Sequence, residues 1–319
     1  MLRRTSLLLP GLLLAGRAKS QTQEWPDRPV RIVVPTGAGG ITDILARIVA
    51  QHLSPRISQP VVIENRPGAS GIIGTEAVVR SRADGTTLLM VYPSHPANPA
   101  LKARLPYDTE RDLAPISIVS TVALVALVPK ESPDRTAADL IARAKRERLA
   151  YASVGAGSLA HLANALFCAQ AGIEMLHVPF KSAPEAHASV MKGEVAMFMD
   201  PPITTLPLLA GDKVRAIGVS TSRRLAALPE VPTIATSGLP GFEATGWNGL
   251  LAPAGTPPAL VARYSAAVRE ILADPAVRAE FARHGTEARP TTPDEFATII
   301  HADIAKWGRA VREAGITPD

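Results

Sequence analysis

The sequence predicts a two-lobed α/β protein in which each lobe is a mostly parallel sheet flanked by helices. The chain has 319 residues, about twice the ~150 residues of a typical domain. From residue 30 onward, short runs of β-branched residues alternate with helical patterns, which is typical of strand–helix–strand units. The chain ends in helical patterns without strands of their own, and such helices need a sheet to cover. We therefore expect the chain to cross twice between two lobes and to leave a cleft between them.

The first lobe is expected to begin with three strands, at 30–34, 61–63 and 86–92. Between the first two strands, apolar residues recur at i, i+3, i+4 and i+7 spacing. This spacing predicts an amphipathic helix with one buried face, formed by Ile41, Ile44, Leu45, Ile48, Val49 and Leu53.

The second lobe is expected to contain five strands, at 122–128, 149–153, 175–178, 195–199 and 214–219. A proline-rich segment over 228–258 then leads to three C-terminal helices, at 259–273, 276–284 and 294–314. Because these helices need a sheet, we assign them to the first lobe. The expected limits are therefore 21–123 and 248–319 for lobe 1, and 124–247 for lobe 2.

Residues 1–20 have the composition of an export signal. They hold four basic residues and no acidic residue, on both sides of the apolar run 7–15. This run is too short to span a bilayer, which takes about 20 residues, and no later segment is long and uncharged enough to do so. We therefore predict a signal peptide over 1–20 and a soluble chain after its removal.

The net charge of +5 would by itself suggest a nucleic-acid partner. Four of the 34 basic residues lie in the predicted signal peptide, however, which leaves 30 against 29 acidic residues and a net charge of about +1. Aromatic residues make up only 4% of the chain, so surfaces for stacking bases are also few. Nucleic acid is therefore not an expected partner.

The loop that follows the first predicted strand, 35–43, is rich in glycine. Pro35 ends the strand, and Gly37, Gly39 and Gly40 let the backbone approach a ligand closely. Amides at the start of the following helix, together with its dipole, suit an anion. The alternative is a plain strand–helix turn in which Thr42 or Asp43 caps the helix.

A second glycine loop, 155–161, fits the loose dinucleotide pattern G-x-G-x-x-A. That pattern also needs an acidic residue at the end of the next strand, where this chain has Val178, Pro179, Phe180 and Lys181. We therefore expect no nucleotide cofactor. Ser158 and His161 also form a degenerate nucleophile elbow, but such an elbow normally takes its histidine from far along the chain.

Metal binding and disulfide bonding are not expected either. The histidines lack close metal-ligand spacing, and Cys168 is the single cysteine. Cys168 lies in an apolar stretch and is expected to be a buried structural thiol. The sequence thus predicts neither a metal site nor a cofactor.

Several motifs, in order along the chain from Trp25, resemble the Bug (TctC-type) extracytoplasmic solute receptors. They lie at 35–43, 64–69, 83–85, 105–108, 177–181, 228–233 and 252–257. The resemblance implies a type II periplasmic-binding-protein fold, also called a Venus flytrap, whose two lobes close on a small carboxylate. It also implies a periplasmic location and delivery of the ligand to the membrane subunits of a tripartite tricarboxylate transporter.

The resemblance further implies which residues bind the ligand. In the family, the P-x-x-A-G-G-x-x-D loop binds a carboxylate through backbone amides and bridging waters. Transferred to this sequence, the expected ligand-binding residues are Pro35, Thr36, Ala38, Gly39, Gly40, Thr42, Asp43, Ser94, His95, Gly155, Ser158, His161, Phe180 and Asp200. Two of these positions depart from the family pattern, since Thr36 replaces a Phe or Tyr and Phe180 replaces a Tyr.

Our leading hypothesis is a monomeric receptor, without enzymatic activity, for a mono- or dicarboxylate or an amino or aromatic acid. The first alternative is a periplasmic adaptor that hands its ligand-bound form to the sensor domain of a sensor kinase. The second is an enzyme such as a hydrolase that uses Ser158 as its nucleophile.

Overall fold

A computed structural model describes residues 25–313 and 315–316. The predicted signal peptide, 1–20, lies outside these residues. Within the described residues, no helix is both long enough and apolar enough to cross a membrane.

Eleven strands of the described residues form two sheets. They are β1 (Val30–Val34), β2 (Val61–Asn65), β3 (Thr87–Val91), β4 (Leu113–Val122), β5 (Val125–Pro129), β6 (Leu149–Ser153), β7 (Met175–Pro179), β8 (Met197–Asp200), β9 (Val214–Val219), β10 (Gly246–Pro253) and β11 (Glu287–Ala288). The first sheet has the order β11-β4-β10-β3-β1-β2, and the second has the order β7-β6-β8-β5-β9.

The two-lobed α/β fold class is confirmed, but the sheets are mixed rather than mostly parallel. In the first sheet β1 is parallel to β2 and β3, whereas β10 is antiparallel to β3 and β4. In the second sheet β6 is parallel to β7 and β8, whereas β5 is antiparallel to β8 and β9. β5 is the first strand after the chain leaves the first sheet, and β10 is the strand at which the chain returns to it; both run antiparallel to their neighbours named above.

Helices cover both faces of each sheet. They are α1 (Ile41–Ile57), α2 (Ile72–Val79), α3 (Asn98–Leu101), α4 (Ala137–Ala144), α5 (Leu159–Ala171), α6 (Ala183–Met191), α7 (Pro202–Ala210), α8 (Ile234–Ser237), α9 (Pro258–Ala273), α10 (Pro275–Arg283) and α11 (Pro293–Glu313). A short 3₁₀ turn, Ala69–Gly71, precedes α2.

The core follows the alternation of side chains along each strand. In β1, Ile32 packs on the face covered by α1, α9 and α10, and its neighbour Val33 packs on the face covered by α2 and α11. The second sheet is layered in the same way, with α4 and α5 on one face and α6 on the other. Each sheet is therefore the middle of a three-layer sandwich.

The chain passes between the sheets at two adjacent strand ends. Only Ala123 and Leu124 separate β4 of the first sheet from β5 of the second, and the chain is back in the first sheet at Gly246. The last helix, α11, packs on both sides: Phe296 lies in a core of the first sheet and Trp307 in a core of the second. The expected lobe limits stay predictions.

Candidate functional site

The expected ligand-binding residues all lie at or just beyond the carboxyl ends of strands. Those in 35–43 follow β1, Ser94 and His95 follow β3, and those in 155–161 follow β6. Phe180 directly follows β7, and Asp200 is the last residue of β8. Since β4 leads into β5 across two residues, this edge of the first sheet is the edge joined to the second sheet, where ligands commonly bind in α/β folds.

The carboxylate of Asp43 accepts the hydrogen bonds that hold the loop after β1. The amide of Gly39 donates to Asp43 Oδ2 at 2.9 Å, and the side chain of Asn65 donates to Oδ1 at 2.9 Å. Arg47 Nε donates to Oδ2 at 2.9 Å from one helical turn further on. Asn65 also binds the backbone carbonyl of Thr36 at 3.2 Å, so it joins both ends of the loop.

Asp43 is therefore a brace of the loop. Burial alone would raise the pKa of this carboxyl, but the hydrogen bonds from Arg47, Gly39 and Asn65 outweigh burial and hold its pKa below the ordinary value. The Asp43 side chain is 2% exposed, and its oxygens face donors of its own lobe. We conclude that Asp43 shapes the loop and that the exposed backbone of 37–40 is the part that can meet a ligand.

The start of α1 offers amide donors to an anion. Its N-cap residue is Gly40, which has no side chain to satisfy the first amides of the helix. Gly39 has φ +82°, a left-handed conformation that glycine adopts without strain, and it turns the chain into the helix. No side chain caps α1 at Gly40, while the Asp43 carboxylate in its first turn already occupies the Gly39 amide.

A buried polar bridge fixes Thr42 at this helix start. Thr42 Oγ1 donates to Asn248 Oδ1 at 2.8 Å, and Asn248 Nδ2 donates to Ser120 Oγ at 3.1 Å. Asn248 and Ser120 are completely buried on β10 and β4. The bridge therefore connects the loop after β1 to the two strands at which the chain crosses between the sheets.

Ser94 and His95 are buried beside the same loop. They line a small cavity together with Pro35, Tyr92 and Asn98, and Asn98 Nδ2 donates to the carbonyl of Ser70 at 3.1 Å. Burial lowers the pKa of His95 to about 4, so its imidazole is uncharged at neutral pH. Within the described residues, His95 Nε2 has no hydrogen-bond partner.

The loop after β6 is stabilised by its own hydrogen bonds. Ser158 is the N-cap of α5: its Oγ accepts from the His161 amide at 3.2 Å and donates to the Gly155 carbonyl at 2.8 Å. The amide of Gly157 donates to His161 Nδ1 at 3.1 Å. Glycine conformations with φ +114° at Gly155 and +75° at Gly157 allow this tight turn.

These bonds disfavour Ser158 as a nucleophile. A serine nucleophile gives its proton to a base within hydrogen-bond reach, but the Ser158 hydroxyl donates to a backbone carbonyl. His161, the histidine nearest in sequence, already uses Nδ1 to accept from Gly157. The described geometry thus assigns Ser158 the role of a helix cap.

Phe180 and Asp200 are the expected ligand-binding residues at the ends of β7 and β8. The Phe180 amide donates to the Ser153 carbonyl at 2.9 Å, which anchors the segment after β7 to the end of β6. Asp200 Oδ2 accepts from Thr204 Oγ1 at 2.5 Å and lies 3.1 Å from His187 Nε2. Asp200 is 4% exposed, and its partners come from α6 and α7.

The loops of the two sheets approach each other closely. A methyl group on Gly157 would lie 2.9 Å from Cδ1 of Leu101, the last residue of α3, which follows β3. Similarly, a methyl group on Gly246, the first residue of β10, would lie 2.9 Å from Cδ2 of Leu159 in α5. The candidate ligand loops of both lobes therefore lie along one junction between the sheets.

No group of three or more His, Cys, Asp or Glu side chains in 25–313 and 315–316 is arranged to hold a metal ion. The polar groups that the loops offer are instead amides, hydroxyls and uncharged imidazoles, which are hydrogen-bonding partners for an organic anion.

Asn65 and Asn248 support the candidate site but are not among the residues expected from the sequence. Asn65 ends a strand beside the loop, and polar residues at such strand ends are a usable signal. No sequence pattern points to Asn248, because it lies in the proline-rich segment 228–258, where we expect no strand.

Comparisons with known proteins show the family and the fold. Residues 45–316 match the model of the tripartite tricarboxylate transporter family receptor, TctC. The solved structure of R. palustris Rpa4515 with adipate has 34% sequence identity and a TM-score of 0.79, and the match covers 93% of this chain and 100% of that one. MatC (Rpa3494) from Rhodopseudomonas palustris with bound malate has 30% identity and a TM-score of 0.74, with 90% and 99% covered.

The solved structure of the periplasmic binding protein BugD has 29% identity and a TM-score of 0.75, and the match covers 92% of this chain and all of that one. The match to the family model spans most of the chain and both sheets. The chain therefore belongs to the TctC family of periplasmic solute-binding proteins.

Proposed function

We propose that this protein is an exported receptor that binds a small carboxylate, above all a dicarboxylate, between its two lobes. The lobes are 21–123 with 248–319, and 124–247, after removal of residues 1–20. The protein acts as a monomer in the periplasm and releases its ligand unchanged to the membrane subunits of a tripartite tricarboxylate transporter.

The observation that carries this proposal is the uncapped start of α1 behind an exposed glycine loop. Gly37, Gly39 and Gly40 present backbone without side chains, and the first amides of α1 lack intrahelical acceptors. A carboxylate satisfies both the amides and the helix dipole. Two members of the same structural group were solved with adipate and with malate, which supports a carboxylate as the ligand.

The side chains around this carboxylate position favour a ligand with a second polar group. Thr36 has a buried hydroxyl that has no hydrogen-bond partner within the described residues. Across the junction, the loop held by Ser158 and His161 offers further backbone donors. A ligand with a polar group at each end meets both lobes, and this contact with both lobes favours the closed form.

Binding is tested with the mature protein and a panel of malate, adipate, acetate, glutamate and benzoate. We expect malate or adipate to bind in calorimetry and to raise the melting temperature by mass action. A panel without any binder would contradict the proposed function.

A matched pair of variants at Gly39 tests the position of the site. Gly39→Asp places a carboxylate in open space beside the loop and should weaken binding at least about a hundredfold through like-charge repulsion. Gly39→Asn has nearly the same size and the same left-handed strain without the charge, so it should stay within about threefold of wild type. Equal affinity of the Asp variant and the Asn variant would show that the ligand binds elsewhere.

Two further measurements separate the alternatives. Deleting the gene should abolish uptake of the bound acid if the protein serves a transporter, whereas a sensing adaptor would lose only the transcriptional response to that acid. Incubation with the bound acid should give no product, and Ser158→Ala should leave that result unchanged. Turnover that Ser158→Ala removes would establish the hydrolase instead.

A further inference from the structure

His177 lies outside the expected ligand-binding residues but makes the closest ring contact in the second lobe. Its imidazole stacks on that of His161, with ring centroids 3.8 Å apart and planes 9° apart. On β7 it is in register with Tyr151 of β6, whose ring is 5.2 Å away and 21° from parallel. His161 is therefore placed against a pair of rings that belong to the sheet.

The second contact of His177 is with the end of β6. His177 Nε2 and Ser153 Oγ are hydrogen-bonded at 2.7 Å, and the amide of Gly155 donates to the same Ser153 Oγ at 3.1 Å. Ser153 is completely buried. His177 thus bonds to Ser153, which precedes the 155–158 loop. Its ring packs on His161, which follows that loop in the first turn of α5.

The His161 ring can accept from Gly157 in only one orientation. Nδ1 must be unprotonated and must face the Gly157 amide, which lies 3.1 Å away. A rotation of the ring would break this bond and leave the turn without its central hydrogen bond. The flat contact with His177 restricts such a rotation, because the ring would have to pass through a tilted position in which it collides with the neighbouring ring.

We propose that His177 is a positioning residue for ligand capture: its stacked ring fixes the orientation of His161 and thereby the shape of the 155–158 loop. This inference rests on the proposed function in so far as the loop meets the ligand. It assigns His177 no contact with the ligand. The loop itself presses against Leu101 of α3, so its shape also affects how the two lobes meet.

The test compares wild type with His177→Ala and His177→Phe in the mature protein. Phenylalanine keeps a flat ring beside His161 and loses only the bond to Ser153, whereas alanine removes both. His301→Ala is the control, because His301 is an exposed histidine on α11 whose side chain pairs with Glu110. Adipate and malate are the ligand probes.

We expect His177→Ala to weaken binding about tenfold, at the lower end of what the loss of a supporting partner behind a binding group typically causes. His177→Phe and His301→Ala should stay within about threefold of wild type. Unchanged affinity in His177→Ala, or a loss in His177→Phe as large as in His177→Ala, would overturn the proposal.

Two readouts on the protein without ligand distinguish failure of this inference from failure of the proposed function. Amide exchange at Gly157 should be at least about tenfold faster in His177→Ala than in wild type. Nitrogen NMR should report a single neutral His161 tautomer, with the proton on Nε2, in wild type and a mixture in His177→Ala. If wild type binds none of the five acids of the panel, the proposed function fails, and these two readouts alone decide the role of His177. Amide exchange at the wild-type rate and a single His161 tautomer in His177→Ala would overturn the positioning role of His177.

Discussion

His95 and His161 are buried, uncharged histidines at the junction of the two sheets. His95 is 3% exposed, and its ring lies nearly parallel to that of Tyr107, with ring centroids 6.4 Å apart. Burial lowers the pKa of His161 to about 4, with a smaller contribution from neighbouring His177. Burial also lowers the pKa of His177. At neutral pH the imidazoles of His95, His161 and His177 are therefore uncharged.

Acid should therefore destabilise the fold through these residues. For His95, the unfolded chain takes up a proton near pH 6.5 while the folded chain does so only near pH 4. Its contribution to stability is complete above pH 6.5 and decreases as the pH falls toward 4, by about 3 kcal/mol over this range. We predict that His95→Phe, which cannot be protonated, reduces the acid-induced loss of unfolding free energy by about that amount.

Urea denaturation at several pH values between 7 and 4 provides the measurement. His301→Phe is the matched control, because the His301 side chain is 78% exposed. The control should keep the pH dependence of wild type. Equal pH dependence in His95→Phe and wild type would show that folding does not lower the pKa of His95.

At the same scale, the sequence predicted the two glycine loops but not the contacts that hold them. Glycines after β1 and β6 marked both loops, since a backbone that must turn sharply requires them. The supports of these loops come from elsewhere in the chain: Asn248 is 206 residues from Thr42, and Ser153 meets His177 from the next strand. Such partners follow from strand register, which a single sequence does not encode locally.

Among the elements, β1 and β10 differ most in how well sequence predicts them. β1 consists of Val, Ile and Arg, and its expected bounds, 30–34, are the observed ones. β10 contains two glycines, an asparagine and a proline, residues that strands disfavour, and we expected no strand there. It forms because it fills the space between β3 and β4, where all eight of its residues are buried. Tertiary packing overrides local propensity at that position.

A glycine of β10 shows how closely this strand is packed. A methyl group on Gly249 would lie 2.3 Å from Cζ of Phe296 in α11. We predict that Gly249→Ala lowers the free energy of unfolding by about 1–3 kcal/mol, because neither the central strand nor the buried ring can move freely. Gly37→Ala is the control, since its methyl group meets open space, and it should change stability by less than about 0.5 kcal/mol. Equal denaturation midpoints for the two variants would contradict this packing.

For the whole molecule, α11 is the element that joins the two cores. Phe296 and Ile300 pack with the first sheet, while Trp307, Ala310 and Val311 pack with α5 and the second sheet. Between them, Asp303 accepts a hydrogen bond from Trp247 Nε1 of β10 at 2.7 Å. The helix therefore crosses the junction while it is hydrogen-bonded to β10, the strand at which the chain returns to the first sheet.

Removing the anchor of α11 in the second core should be costly. Trp307 is 1% exposed, and we predict that Trp307→Ala lowers the free energy of unfolding by about 3–5 kcal/mol. Arg309→Ala, an exposed position on the same helix, should change it by less than about 0.5 kcal/mol. Denaturation followed by far-UV circular dichroism checks both values, and a loss below about 1 kcal/mol for Trp307→Ala would exclude α11 as a structural link.

With α11 included, the described part of the chain passes between the sheets three times, and an odd number of passages places Trp25 and Ile316 on different sheets. Trp25 packs against the core of the first sheet, and Ile316 packs against the core of the second. A donor dye near residue 25 and an acceptor dye near residue 316 would therefore lie beside the cores of different sheets. Energy transfer between them would follow any movement of one sheet against the other, with both labels outside the loops that meet at the junction.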